Sequence, residues 1–143
     1  MNPALVPVVL LGLVALSTAA GMLWRASRGR VHHVTAGAVV RASDIPGVRR
    51  LARGVTLLQF STEVCAPCRV TRTILGAIAG EREGVSHIDL DLTHRPDLAA
   101  RFQIMQTPTT LILDSRGQVR ARIGGAPRRD ALTAELDRIL VAA

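Results

Sequence analysis

Two cysteines separated by two residues, Cys65-Ala66-Pro67-Cys68, stand between an apolar run and a helix-like pattern, and they are the only cysteines in the chain. No other feature restricts the fold as tightly. The preceding run, Val55-Thr56-Leu57-Leu58-Gln59-Phe60, lacks the alternation of a half-wet strand, as expected of a central strand covered on both faces. Beyond the cysteines, Val70, Ile74, Ala77 and Ile78 fall at i, i+4, i+7 and i+8, the stripe of an amphipathic helix running to about Gly80. The pair therefore occupies a strand-to-helix junction, with Ala66 and Pro67 in the motif and at the helix start. Side chains three positions apart on a helix lie roughly 5–6 Å from each other, which suits the span of a disulfide. Unpaired N–H groups and the positive end of the helix dipole favour thiolate at the first sulfur, the form that attacks disulfides. The two positions are too close in sequence to tie distant parts of a fold together, so a structural disulfide framework is excluded.

The 143 residues allow one modest domain and an appendage. Aromatic residues are Trp24, Phe60 and Phe102 alone, so the core must be aliphatic. All 18 basic residues are arginine, and they are unevenly placed. Residues 25–53 hold seven arginines against one acid, Asp44, whereas residues 54–143 are nearly balanced, with 11 against 10. Basicity concentrated in one juxtaposed segment, with no interleaved aromatics, argues against nucleic-acid binding.

Ala4 to Trp24 is an uncharged apolar run of 21 residues, about the length that crosses a hydrocarbon core of roughly 30 Å. Residues 1–24 read as a transmembrane anchor, with Trp24 at its end and Arg25, Arg28 and Arg30 directly after it. A cleaved signal peptide is the alternative, and Ser17-Thr18-Ala19-Ala20 offers small residues for it. The arginines that follow the run place the globular part in the cytoplasm, on a single-pass plasma-membrane protein. Residues 25–43 read as a basic linker, in which His32 and His33 are solvated. From residue 44 to 143 the pattern is that of one domain. A helix starts at Asp44 as N-cap, with Ile45, Val48 and Leu51 inward. A second strand runs from Val85 to Leu92, and a helix opens at Thr93 to Asp97 with Leu98 and Phe102 inward. Thr109–Leu113 and Gln118–Ile123 form a hairpin across Asp114-Ser115-Arg116-Gly117. A last helix carries Leu132, Leu136, Ile139 and Leu140. This order gives an α/β domain: a mixed sheet with helices on both faces.

The chain resembles the thioredoxin family over residues 44–143. The resemblance rests on the Cys65-to-Cys68 motif at its junction, on Thr107-Pro108-Thr109 opening the third strand, on the Asp114–Gly117 turn and on the Gly124-Gly125 pair. It implies the thioredoxin fold, here preceded by one N-terminal transmembrane helix, and a cis peptide bond before Pro108. It implies protein-disulfide oxidoreductase activity without a cofactor or metal: Cys65 is the nucleophile and Cys68 the resolving thiol, and Val64, Thr107, Pro108 and Gly124 line the substrate groove. The implied partners are a disulfide-containing protein and an electron donor whose identity the sequence does not give, with the membrane engaged through residues 4–24. Departures from the family pattern are equally specific. Val64 replaces a tryptophan, Ala66 a glycine, Gln59 the buried acid behind the cysteines, and His87 the lysine often paired with that acid. Gln59 and His87 are then the candidate proton relay, because Gln59 itself cannot exchange a proton and an unperturbed histidine has a pKa of about 6.5. The alternatives are an extracytoplasmic anchored reductant of the cytochrome-maturation type, a redox-inactive adaptor with this fold, and a half zinc site completed by His87 or His94.

Overall fold

The computed structural model describes residues 5–27, 29–34 and 38–141; Ala4 and Arg28 of the sequence reading lie outside these. In chain order the elements are α1 (Leu5–Ser27), β1 (Val31–His33), a 3-10 turn (Ala42–Asp44), β2 (Val55–Ser61), α2 (Ala66–Glu81) and β3 (Val85–Asp91). They continue with α3 (Pro96–Arg101), β4 (Thr109–Leu113), β5 (Val119–Gly124) and α4 (Arg129–Val141). The strands form one mixed sheet in the order β1-β5-β4-β2-β3, in which only β2 and β3 run parallel.

β2 lies in the interior of the sheet and every one of its residues is buried. Successive strand residues point to opposite faces, and this alternation sorts the core into two layers. Leu58 and Phe60 join Ile45, Leu90, Leu98, Phe102, Leu111 and Leu113 on one side. Val55 and Leu57 join Leu75, Ile78, Ile112, Leu132, Leu136 and Ile139 under α2 and α4 on the other. Gln59 shares the parity of Leu57, so it too faces α2. With so few aromatics, each ring contact matters: Phe60 and Phe102 meet with centroids 5.0 Å apart, a contact worth about 0.5–1.5 kcal/mol beyond the area it buries.

The hairpin between β4 and β5 forms as its residues dictate. The Asp114 carboxylate accepts from the backbone N–H groups of Arg116 and Gln118, both at 2.9 Å. Gly117 has φ +77°, and a Cβ there would run into the carbonyl oxygen of Val40. A bulge near Ile112 and Leu113 shifts the register. Val119 consequently packs with the first layer, while Ala121 and Ile123 pack with the second.

Three expectations are corrected. The segment 25–43 is not wholly a linker: Val31, His32 and His33 pair antiparallel with Ile123, Arg122 and Ala121. Within it His33 is not merely solvated, since its Nδ1 lies 3.3 Å from the buried carboxylate of Glu135. The helix expected from Asp44 onward is one 3-10 turn that ends there, and the Asp44 carboxylate accepts from the Arg41 N–H. Ile45 is nonetheless buried and Val48 and Leu51 partly so, because an irregular segment can still place apolar side chains against a sheet. In α2 the inward residues are Cys68, Thr71, Leu75 and Ile78, and Val70 is exposed.

α1 stands apart from this core. No residue of its span Leu5–Arg25 is buried, and it is long and apolar enough to cross a membrane; a signal sequence has the same character.

Candidate active site

β2 ends at Ser61, and a short loop delivers Cys65 to the N-cap of α2. Pro67 sits in the first turn, where its missing N–H is no loss and its fixed φ suits the helix. Cys65 and Cys68 are joined by a disulfide with Cα atoms 5.2 Å apart. The two sulfurs are not equivalent. Cys65 is 9% exposed and Cys68 1%, so an incoming group meets Cys65 first. The backbone N–H of Cys68 donates to the Cys65 sulfur at 3.2 Å. That contact, at a helix N-terminus, stabilises negative charge on Cys65 once the disulfide opens.

The chain before β4 closes the site from the other side. The Thr107–Pro108 peptide bond is cis, the Thr109 hydroxyl donates to the Gln106 carbonyl at 2.7 Å, and the Gly125 N–H donates to the Pro108 carbonyl at 2.8 Å. The hydroxyls of Thr62 and Thr107 lie 3.3 Å apart, joining the loop before Cys65 to the one before Pro108. Pro67, Thr107, Pro108 and Gly125 line a common cleft of about 750 Å³. Gly125 therefore holds the place expected of Gly124, which lines a smaller neighbouring pocket with Met105 and Gln106. Val64, 95% exposed, and Met105, 93% exposed, present bare apolar side chains around this region.

Beneath the disulfide Gln59 is fully buried. Its side-chain amide N–H donates to the carbonyl oxygen of Cys68 at 3.0 Å, and its amide oxygen lies 3.0 Å from His87 Nε2. An amide oxygen only accepts, so His87 must carry its proton on Nε2. The hydrogen-bonded chain runs His87 to Gln59 to Cys68 and ends on the backbone carbonyl, not on the sulfur. Burial pushes the His87 pKa below its ordinary value; the Asp89 carboxylate opposes this and the Arg72 guanidinium reinforces it. Sequence reasoning missed that last pair. Asp89 accepts from the Ser61 hydroxyl at 2.6 Å and is ion-paired with Arg72 of α2. The β2–β3 register, which sets Gln59 opposite Asp89, is the signal that would have found it.

A cysteine pair held as a disulfide at a helix N-terminus, with one sulfur more open than the other and a cis-proline backbone beside it, defines a thiol–disulfide oxidoreductase. Comparison with known proteins places the chain more closely. It belongs to the thioredoxin family, whose model matches residues 48–138. It is 31% identical to the thioredoxin of Staphylococcus aureus over 104 residues, covering 72% of this chain and 99% of that protein. With the thioredoxin of Staphylococcus saprophyticus it shares 29% identity over 94 residues, 65% of this chain and 90% of the relative. The crystal structure of thioredoxin NaTrxh from Nicotiana alata superposes with a TM-score of 0.53 at 23% identity, covering 62% of this chain and 75% of that one, a likeness of fold.

Proposed function

We propose that the protein is a membrane-anchored reductant of protein disulfides, in which Cys65 attacks and Cys68 resolves. The observation that carries this reading is the asymmetry of the pair: Cys65 is the more exposed sulfur and receives the Cys68 N–H, while Cys68 is buried behind it. The Cys65 thiolate attacks one sulfur of a substrate disulfide. A mixed disulfide forms, the substrate bond breaks, and the leaving sulfur takes up a proton. Cys68 gives up its proton to solvent and attacks Cys65; the mixed-disulfide bond breaks, the second substrate sulfur leaves as a thiolate that takes up a proton, and the protein disulfide forms. A substrate disulfide and a protein dithiol thus become a substrate dithiol and the disulfide seen in the structure. An external dithiol donor must restore the reduced form.

Thr107 and Pro108 would pair with the extended substrate backbone, and Gly125 would form the far wall. Gln59 acts as a positioning residue on the first turn of α2. His87, whose lowered pKa favours neutral imidazole, donates its Nε2–H to the Gln59 amide oxygen and so holds the amide that positions Cys68. α1 serves as a single-pass anchor, and the arginines after it favour a cytoplasmic catalytic domain.

Substitution decides between this and a redox-inactive adaptor. Cys65→Ser abolishes disulfide reduction, whereas Cys68→Ser accumulates mixed disulfides that reductant dissolves; full multiple-turnover activity in Cys68→Ser would overturn the assignment. Alkaline phosphatase fused after Ala143 tests sidedness, since strong activity there places the domain outside.

A further inference from the structure

The cleft beside the dithiol has two unlike walls. Pro67, Thr107 and Pro108 form the one described above, and Arg25, Arg30 and Arg128 stand in the other. Two of these arginines are near neighbours in sequence, Arg25 in the last turn of α1 and Arg30 just before β1, and the third, Arg128, comes from just before α4. No acid lines the cleft among the described residues. Asp130 engages the Nη2 and Nε of Arg128, at 2.8 and 3.4 Å, and so tempers the charge of Arg128 without removing it. Glu63, in the loop before Cys65, is exposed and is not part of the lining.

We propose that this cleft selects protein substrates whose disulfide is flanked by an acidic segment. The inference rests on the reading of Cys65 and Cys68 as a protein-disulfide reductant and adds the class of substrate. A chain extended along Thr107 and Pro108 lies in the same cleft as Arg25, Arg30 and Arg128, next to Pro67 of the dithiol motif. Carboxylates in that chain gain charge-assisted, two-pronged hydrogen bonds, and cationic side chains there are repelled. Because the arginines share the cleft with the backbone that aligns the substrate, the charge pattern acts on the productive complex as well as on the encounter. Because the arginines line the same cleft as the Thr107–Pro108 backbone, a peptide segment fits it better than a lipid head group.

Full-length protein in phosphatidylcholine nanodiscs tests this with three fluorescent peptides that share one cystine core and carry Glu, Ser or Arg flanks. Binding is read by anisotropy on the Cys65→Ser/Cys68→Ser variant, so that no exchange intervenes. The Glu-flanked peptide is expected to bind about tenfold more tightly than the Arg-flanked one at low salt, with the ratio collapsing towards one at about 0.5 M salt. Replacing Arg25, Arg30 and Arg128 by Gln removes the preference, and replacing all three by Glu inverts it, which misfolding alone does not do. Equal binding of Glu- and Arg-flanked peptides, or a preference that survives the Gln substitutions, overturns the proposal. Nanodiscs containing phosphatidylglycerol form a second arm: loss of the preference there assigns the arginines to lipid and also overturns it. The reduced wild-type protein is mixed with the same peptides in parallel. Failure to release thiol from any of them sinks the reductase reading, while the binding arm still decides the cleft.

Discussion

The backbone N–H of Cys68 points at the sulfur of Cys65, 3.2 Å away across the first turn of α2. A donor fixed by the helix has no need to reorganise when the disulfide opens, so charge appearing on Cys65 is stabilised at once. The reduced protein should therefore be alkylated by iodoacetamide first at Cys65, with a midpoint below the value of about 8.5 for a free cysteine. Peptide mapping after brief labelling reads the order; labelling of Cys68 before Cys65 would contradict the roles given to them.

Gln59 spends both ends of its amide, one on the Cys68 carbonyl and one on His87. Gln59→Leu keeps the volume and deletes both bonds, leaving buried polar groups without partners. The expected loss of stability is about 1–3 kcal/mol, read as a shift of the unfolding midpoint. Gln59→Glu separates the two bonds: the neutral acid can replace both, and the carboxylate faces the Cys68 carbonyl without a proton to give. Its stability should fall as pH rises through the pKa of the new acid, and a flat profile would show that the Cys68 contact contributes nothing.

His87 supplies a pH dependence of known sign. Its pKa is lowered in the folded protein, so the unfolded chain takes up the proton first. The stabilising contribution of the neutral imidazole is fully present above its ordinary value of about 6.5 and is lost as pH falls below that, until the folded group is itself protonated. His87→Gln retains an N–H donor for Gln59 without a titrating group. Thermal unfolding compared at about pH 7.5 and about pH 5.5 should show a smaller acid loss in the variant. An undiminished loss would move its origin elsewhere.

Gly117 is placed where both backbone and space demand glycine, with φ +77° and the Val40 carbonyl directly where a Cβ would go. Gly117→Ala should cost more than about 1 kcal/mol and loosen the hairpin that carries β5. Faster amide exchange of Val40, whose N–H donates to the Gly117 carbonyl at 2.8 Å, checks this locally.

What was legible in the sequence followed from strong local chemistry. The strand-to-helix junction at Cys65, the proline before Thr109 and the Asp114–Gly117 turn each constrain the backbone by their own side chains. β1 escaped notice because three residues at a sheet edge carry no period, and Val31-His32-His33 becomes a strand only through β5. The inward face of α2 was misread because Thr71, a polar residue, turns towards the sheet while Val70 turns away. The link from His87 through Gln59 to Cys68 depends on register between strands, which no single segment encodes. The basic wall of the cleft depends on the same kind of long-range assembly.

The edge strand has a mechanical consequence. Only residues 28–30 separate the end of α1 at Ser27 from the start of β1 at Val31, where the chain is already locked to β5. Four Cα-to-Cα steps extend to at most about 14 Å. With α1 in the bilayer as proposed, the catalytic domain rides on a short leash and cannot sweep the surrounding volume. It can serve only those disulfides that are brought down to the membrane surface, so the reach of the enzyme is decided by the three residues that join anchor to sheet.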